Sequence, residues 1–179
     1  MHTPGKDAIV SVTGLQASGG AAPDFIEIVT EGKYQLRGDS FYVTYEETVA
    51  TGMEGTTTTI KATGDVITMI RFGAVNSHFI FQRGRRHISH YDTGFGAFTI
   101  ALTANSVDVD VGEHGGSIHL GYEVDIGESG TIYNELMVEI RPGAAERSRG
   151  GRPERPRANP PGSRSGRGRP RAPGRRGRR

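Results

Sequence analysis

Arg71 lies inside an apolar run, Val66 to Phe72, where a guanidinium turned inward would need a partner, because an unpaired buried charge costs several kcal/mol. Glu46 or Glu47, at the end of the run Phe41 to Glu47, could supply that carboxylate, and Tyr45 and Tyr91 could add phenolic hydroxyls. Such a set suits a ligand's carboxylate or phosphate, which arginine grips through two parallel hydrogen bonds. Arg71, Tyr45, Glu46 and Tyr91 are therefore the candidate ligand-binding residues. A competing reading leaves Arg71 outward or at a rim, balancing an acidic surface, since its strand is apolar on both faces and parity does not set its direction. The tyrosines are then core aromatics whose hydroxyls reach water or backbone. An enzyme site built from Arg71, Tyr45 and Glu46 would need all three to converge in one pocket.

Other chemistries find less support. His87 and His90 differ by an odd number on a strand and so face opposite sides, while His114 and His119 fall in a turn and on a polar face. None carries a carboxylate at zinc spacing. Asp108, Asp110 and Glu113 alternate with valines and lack the loop glycine of a calcium hand, which makes them a solvated strand face. No serine stands in a nucleophile elbow, and the glycines from Gly14 to Gly20 lack the lysine and helix of a phosphate loop. Cysteine is absent, which removes disulfides, thiolate metal sites and cysteine nucleophiles. The sequence thus predicts no catalytic residue, no metal and no cofactor.

The formal charge of +2 hides two unlike parts. Residues 1–140 hold 8 Lys+Arg against 18 Asp+Glu, a balance of −10, whereas residues 141–179 hold 14 Arg against Glu146 and Glu154, a balance of +12. From Pro142 the chain is mostly Arg, Gly, Pro, Ala and Ser with no aromatic or β-branched residue to bury, so it cannot offset the entropy of ordering and is expected to be disordered. Its arginines, with Arg149, Arg152, Arg167, Arg175 and Arg176 as the candidate contacts, would neutralise nucleic-acid phosphates, although no aromatic is present to stack on bases. Two other readings compete: the tail folds back onto the acidic domain, or it is a dispensable extension. No signal-peptide core follows Met1, and no stretch approaches the roughly 18 apolar residues of a membrane helix. A soluble, cytoplasmic protein is expected.

The elements that must position these residues are strands. Apolar residues recur with period two before Pro142, most clearly at Ile118, Leu120, Tyr122, Val124 and Ile126 against Ser117, His119, Glu123 and Asp125. Strands are expected near 6–16, 24–37, 40–49, 55–73 with a split at Gly64-Asp65, 77–92 with a candidate break at Gly84, 95–111, 117–126 and 131–141, separated by glycine turns. Within 95–111 the apolar parity switches from Phe98, Ile100 and Leu102 to Val107, Val109 and Val111, which a bulge near Ala104-Asn105 would restore. The fold class is all-β: an antiparallel meander barrel of about eight to ten strands over residues 1–141, followed by the tail 142–179. A two-sheet sandwich is the alternative, but short connections and the want of edge-protecting prolines favour closure.

The order of motifs carries a resemblance. Gly32-Lys33-Tyr34, Phe41 to Glu47, Met69 to Gly73, Phe81 with Gly84, and Tyr91 followed by Phe95-Gly96 resemble the YwiB-like family of small bacterial proteins, over about Asp7 to Arg141. The resemblance implies a calycin-like (lipocalin-like) barrel of unknown function. Barrels of that kind often hold one small apolar or amphipathic ligand, the partner expected here. Gly94 stands where that family often has proline, and the basic tail is not part of its pattern.

Overall fold

The computed structural model describes residues 5–144. The tail and its five candidate arginines, Arg149, Arg152, Arg167, Arg175 and Arg176, lie outside the described residues. Ten antiparallel strands follow one another: β1 Lys6–Ser18, β2 Asp24–Arg37, β3 Ser40–Glu46, β4 Thr56–Thr63, β5 Val66–Gly73, β6 Asn76–Gln82, β7 Arg86–Asp92, β8 Ala97–Gly112, β9 Gly115–Asp125 and β10 Thr131–Pro142. Each pairs with its neighbour in sequence, and β1 pairs with β10 from Ala8↔Pro142 to Ser18↔Ile132, so the meander closes into a barrel with no free edge. A sandwich is ruled out by that closure.

Alternation sets which face is inside. Ala8, Val10 and Val12 of β1, Phe41, Val43 and Tyr45 of β3, Ile60 and Ala62 of β4, Ile67 and Met69 of β5, and Ile118 and Leu120 of β9 are all buried, and each is two residues from the next. Burying one such side chain contributes about 1.5–3 kcal/mol, and the interior is lined by them all round. The expected parity switch in β8 is real. Register with β9 shifts between Ala104 and Ser106, and the bulge lets Ile100, Leu102 and Ala104 share the interior with Val107.

Some boundaries differ from expectation. The strand expected to reach residue 49 stops at Glu46, and a single 3-10 turn, Val49–Thr51, leads to β4. The run 77–92 does break at Gly84, and β6 and β7 pair only at their other end, through Asn76↔Asp92 and Ser77↔Tyr91. At the break the Gly84 N–H donates instead to the Ala104 carbonyl of β8 at 2.8 Å.

The two ends of the barrel are unlike. At one, the Tyr34 and Phe41 rings stack 5.8 Å apart and the Tyr34 hydroxyl donates to the Glu113 carbonyl at 3.0 Å, a plug that ties the β8–β9 turn across the opening. The other end, carrying the β1–β2, β3–β4, β5–β6, β7–β8 and β9–β10 connections, stays open. Among the described residues no helix is long and apolar enough to cross a membrane.

Gly32 is where β2 dips toward the interior. A Cβ built there would lie 2.6 Å from the Thr44 carbonyl oxygen and 2.9 Å from Val10 Cγ2, so only glycine fits between β1 and β3. Gly32→Ala should destabilise the protein by about 2 kcal/mol through overpacking, read as a lower urea midpoint with an unchanged slope.

Candidate functional site

Below the open rim lies a cavity of about 720 Å³ whose polar floor is Tyr45, Glu47, Arg71, Tyr91 and Tyr122. Four strands and one loop supply them: Tyr45, Arg71 and Tyr91 lie near the ends of β3, β5 and β7, Tyr122 lies in β9, and Glu47 follows β3. The direction of Arg71 is settled by its neighbours. It stands opposite Thr58 of β4 and Ser77 of β6, both buried, and continues the inward series of Ile67 and Met69. Arg71 therefore points inside.

Of the expected ligand-binding set, the structure gathers Arg71, Tyr45 and Tyr91 on this floor. Glu46 is corrected: it is exposed on the outer face, where it accepts a 2.7 Å hydrogen bond from the Thr57 hydroxyl. Period two explains the exchange, because Phe41, Val43 and Tyr45 face inward and the next position in that series is Glu47, which is buried. Arg71, Tyr45 and Glu46 consequently do not converge on one pocket. His87 and His90 take opposite faces, His87 opposite buried Leu102 and His90 opposite Thr99.

The charges on the floor are held but not saturated. Glu47 Oε1 accepts a 2.6 Å hydrogen bond from the buried Thr58 hydroxyl and lies 3.7 Å from Arg71 Nε, an ion pair too long to be a hydrogen bond. Arg71 Nε is buried with no hydrogen-bond partner, and the guanidinium lies 5.8 Å from the Phe79 ring centroid. The guanidinium makes no hydrogen bond to any described residue, although its side chain is only 15% exposed. The neighbouring Ser77 hydroxyl is likewise buried and unpartnered. Buried donors of this kind are uncommon, and an ordered water or a ligand oxygen would satisfy them.

The rim is apolar. Phe25 of β2 is exposed, and Phe95, fully exposed, caps the β7–β8 loop. In that loop the Gly94 N–H donates to Asp92 Oδ1 at 2.9 Å with a φ of 78°. Proline at this position could neither donate that bond nor adopt that φ.

Burial, with the Glu47 carboxylate adding to it, holds the Tyr45 phenol well above the ordinary 10.0, while Arg71 and Thr58 oppose the shift. Burial also raises Tyr122, again against Arg71. A phenol whose folded value exceeds its unfolded one contributes stability that is complete below pH 10.0 and is lost as pH climbs through the folded value. Absorbance titration should therefore show a tyrosinate step above 10.0 that moves back toward it on unfolding and shrinks in Tyr45→Phe.

Thr58, Ser77, Tyr122 and Glu47 complete a site that the expected set only partly named. Tyr122 was legible by parity as an inward residue, whereas Thr58 sits in the all-β-branched run Thr56 to Ile60, which shows no polar contrast.

Comparison with known proteins agrees with this architecture. Residues 10–138 match the model of a domain of unknown function, DUF1934. The chain is 27% identical over 120 residues to the uncharacterized beta-barrel protein YwiB of Bacillus subtilis (strain 168), covering 67% of this chain and 83% of that protein. The crystal structure of the ywiB protein from Bacillus subtilis superposes with a TM-score of 0.68 at 21% identity, over 78% of this chain and 93% of that one, and so shares the fold. With most of the closed barrel inside the matched span, the chain belongs to the DUF1934 family, a domain of unknown function.

Proposed function

We propose that the barrel is a non-catalytic binding protein for a small amphipathic molecule with an anionic head, held head-down on Arg71 with its apolar body toward the rim. One observation carries this reading: a guanidinium that faces the cavity and donates no hydrogen bond to any described residue. A carboxylate or phosphate oxygen would accept from these donors, with two parallel bonds as the favoured geometry. Glu47 offsets the charge of Arg71 without occupying its donors, and Asp24 and Glu135 also line the cavity, which favours a head of low charge over a multiply charged one. Volume agrees, since small-molecule sites run about 300–1,000 Å³, and about 720 Å³ lies open here. The Phe25 and Phe95 side chains at the rim suit an apolar body.

Native mass spectrometry of protein purified from its own host tests the reading. A discrete bound mass, lost in Arg71→Met, is expected; uniformly empty protein from that host would overturn it.

A further inference from the structure

We propose that a groove on the outer wall, over Gly32, is the docking site of the chain's own arginine-rich residues 145–179. The groove encloses about 610 Å³ and is bordered by Asp7, Glu31, Lys33, Thr44 and Glu46, with Gly143 and Ala144 at its end. It exists because glycine at position 32 lets β2 sink between β1 and β3, leaving the outward side chains on either side as lips.

Its charge is unbalanced. Lys33 is taken by Asp7 at 3.4 Å, and neither Glu31 nor Glu46 forms an ion pair with a described residue. On the wall beyond it Glu139 is taken by Arg141 at 2.8 Å, and Asp110 lies further round on β8. The domain as a whole, residues 1–140, carries 18 Asp+Glu against 8 Lys+Arg.

The occupant is named by where the described chain stops. The Gly143 N–H donates to the Asp7 carbonyl at 2.7 Å, which delivers the chain into the groove, and 35 residues follow Ala144 of the 179. They hold 13 Arg against Glu146 and Glu154, the opposite sign to the wall they start from. Guanidinium forks match paired carboxylates, and a tether of this length presents the arginines at an effective concentration on the order of millimolar. Each exposed pair is weak alone, so the docking is collective and sensitive to salt.

The chain has no cysteine, so Ser163→Cys gives a single site for a spin label on the full-length protein. The label should broaden the backbone amide signals of Glu31, Lys33 and Thr44 at low salt. Broadening should vanish at about 1 M salt, where the screening length falls to about 3 Å. It should also vanish in Glu31→Lys/Glu46→Lys, whose changes are exposed and leave the dispersed spectrum of the fold intact. No broadening at low salt, or broadening spread evenly over the barrel, overturns the proposal. Broadening that persists when the label and the isotope are on different molecules assigns the groove to a second copy's tail, and overturns it too.

Discussion

Phe81→Ala is expected to destabilise the barrel by about 4 kcal/mol, the largest effect of any single change considered. Phe81 is 1% exposed on β6, its ring edge-on to Phe79 at 6.4 Å between centroids and tilted against Tyr122 at 4.8 Å. Truncation removes the transfer free energy of a benzyl group and leaves a cavity that its packed surroundings fill only in part. Aromatic pair geometry adds to the loss. Urea unfolding measures it as a fall in midpoint, and a change below about 1.5 kcal/mol, the usual ceiling for volume-conserving swaps, would mean the ring is not at the centre of the core.

Glu47→Ala should cost about 3 kcal/mol, because removing one partner of a buried pair strands the other. Its side chain is 2% exposed, and its loss leaves the Thr58 hydroxyl without its acceptor and Arg71 without its only counter-charge among the described residues. Arg71 is partly reached by solvent and the pair is long, which keeps the cost at the low end of the range for buried pairs. Glu47→Leu/Arg71→Met should recover most of the stability, since replacing both charges by apolar groups is often neutral. A double-mutant cycle with denaturant gives the coupling directly, and additive costs would show that the two side chains do not interact.

Much of the fold was legible, for reasons specific to strands. The parity switch between Leu102 and Val107 located the bulge, because an interior that must stay apolar allows no other explanation of the switch. Glycine turns placed nearly every hairpin. Arg71 was not legible, because β5 is apolar on both faces: Ile70 and Phe72 are exposed while Ile67 and Met69 are buried. Only the cross-strand neighbours Thr58 and Ser77 decide its direction, and register is a property of the assembled sheet. The choice between Glu46 and Glu47 was open to counting by twos from Phe41, but an expected strand running past both residues hid where the chain turns. The floor draws on β3, β5, β7 and β9, residues far apart in sequence, which no local pattern could bring together.

The central claim is that the guanidinium of Arg71 receives an anionic head inside the barrel. Fluorescence titration with a dansyl-labelled fatty acid and with the fatty alcohol of the same chain, on the native protein and on Arg71→Met, tests it most directly. A charge-assisted hydrogen-bonded contact contributes about 1.5–3 kcal/mol, so the acid should lose roughly 10- to 100-fold in affinity on substitution. The alcohol should bind both proteins alike. Equal binding of the acid by both proteins, or an equal loss for acid and alcohol, would contradict the account.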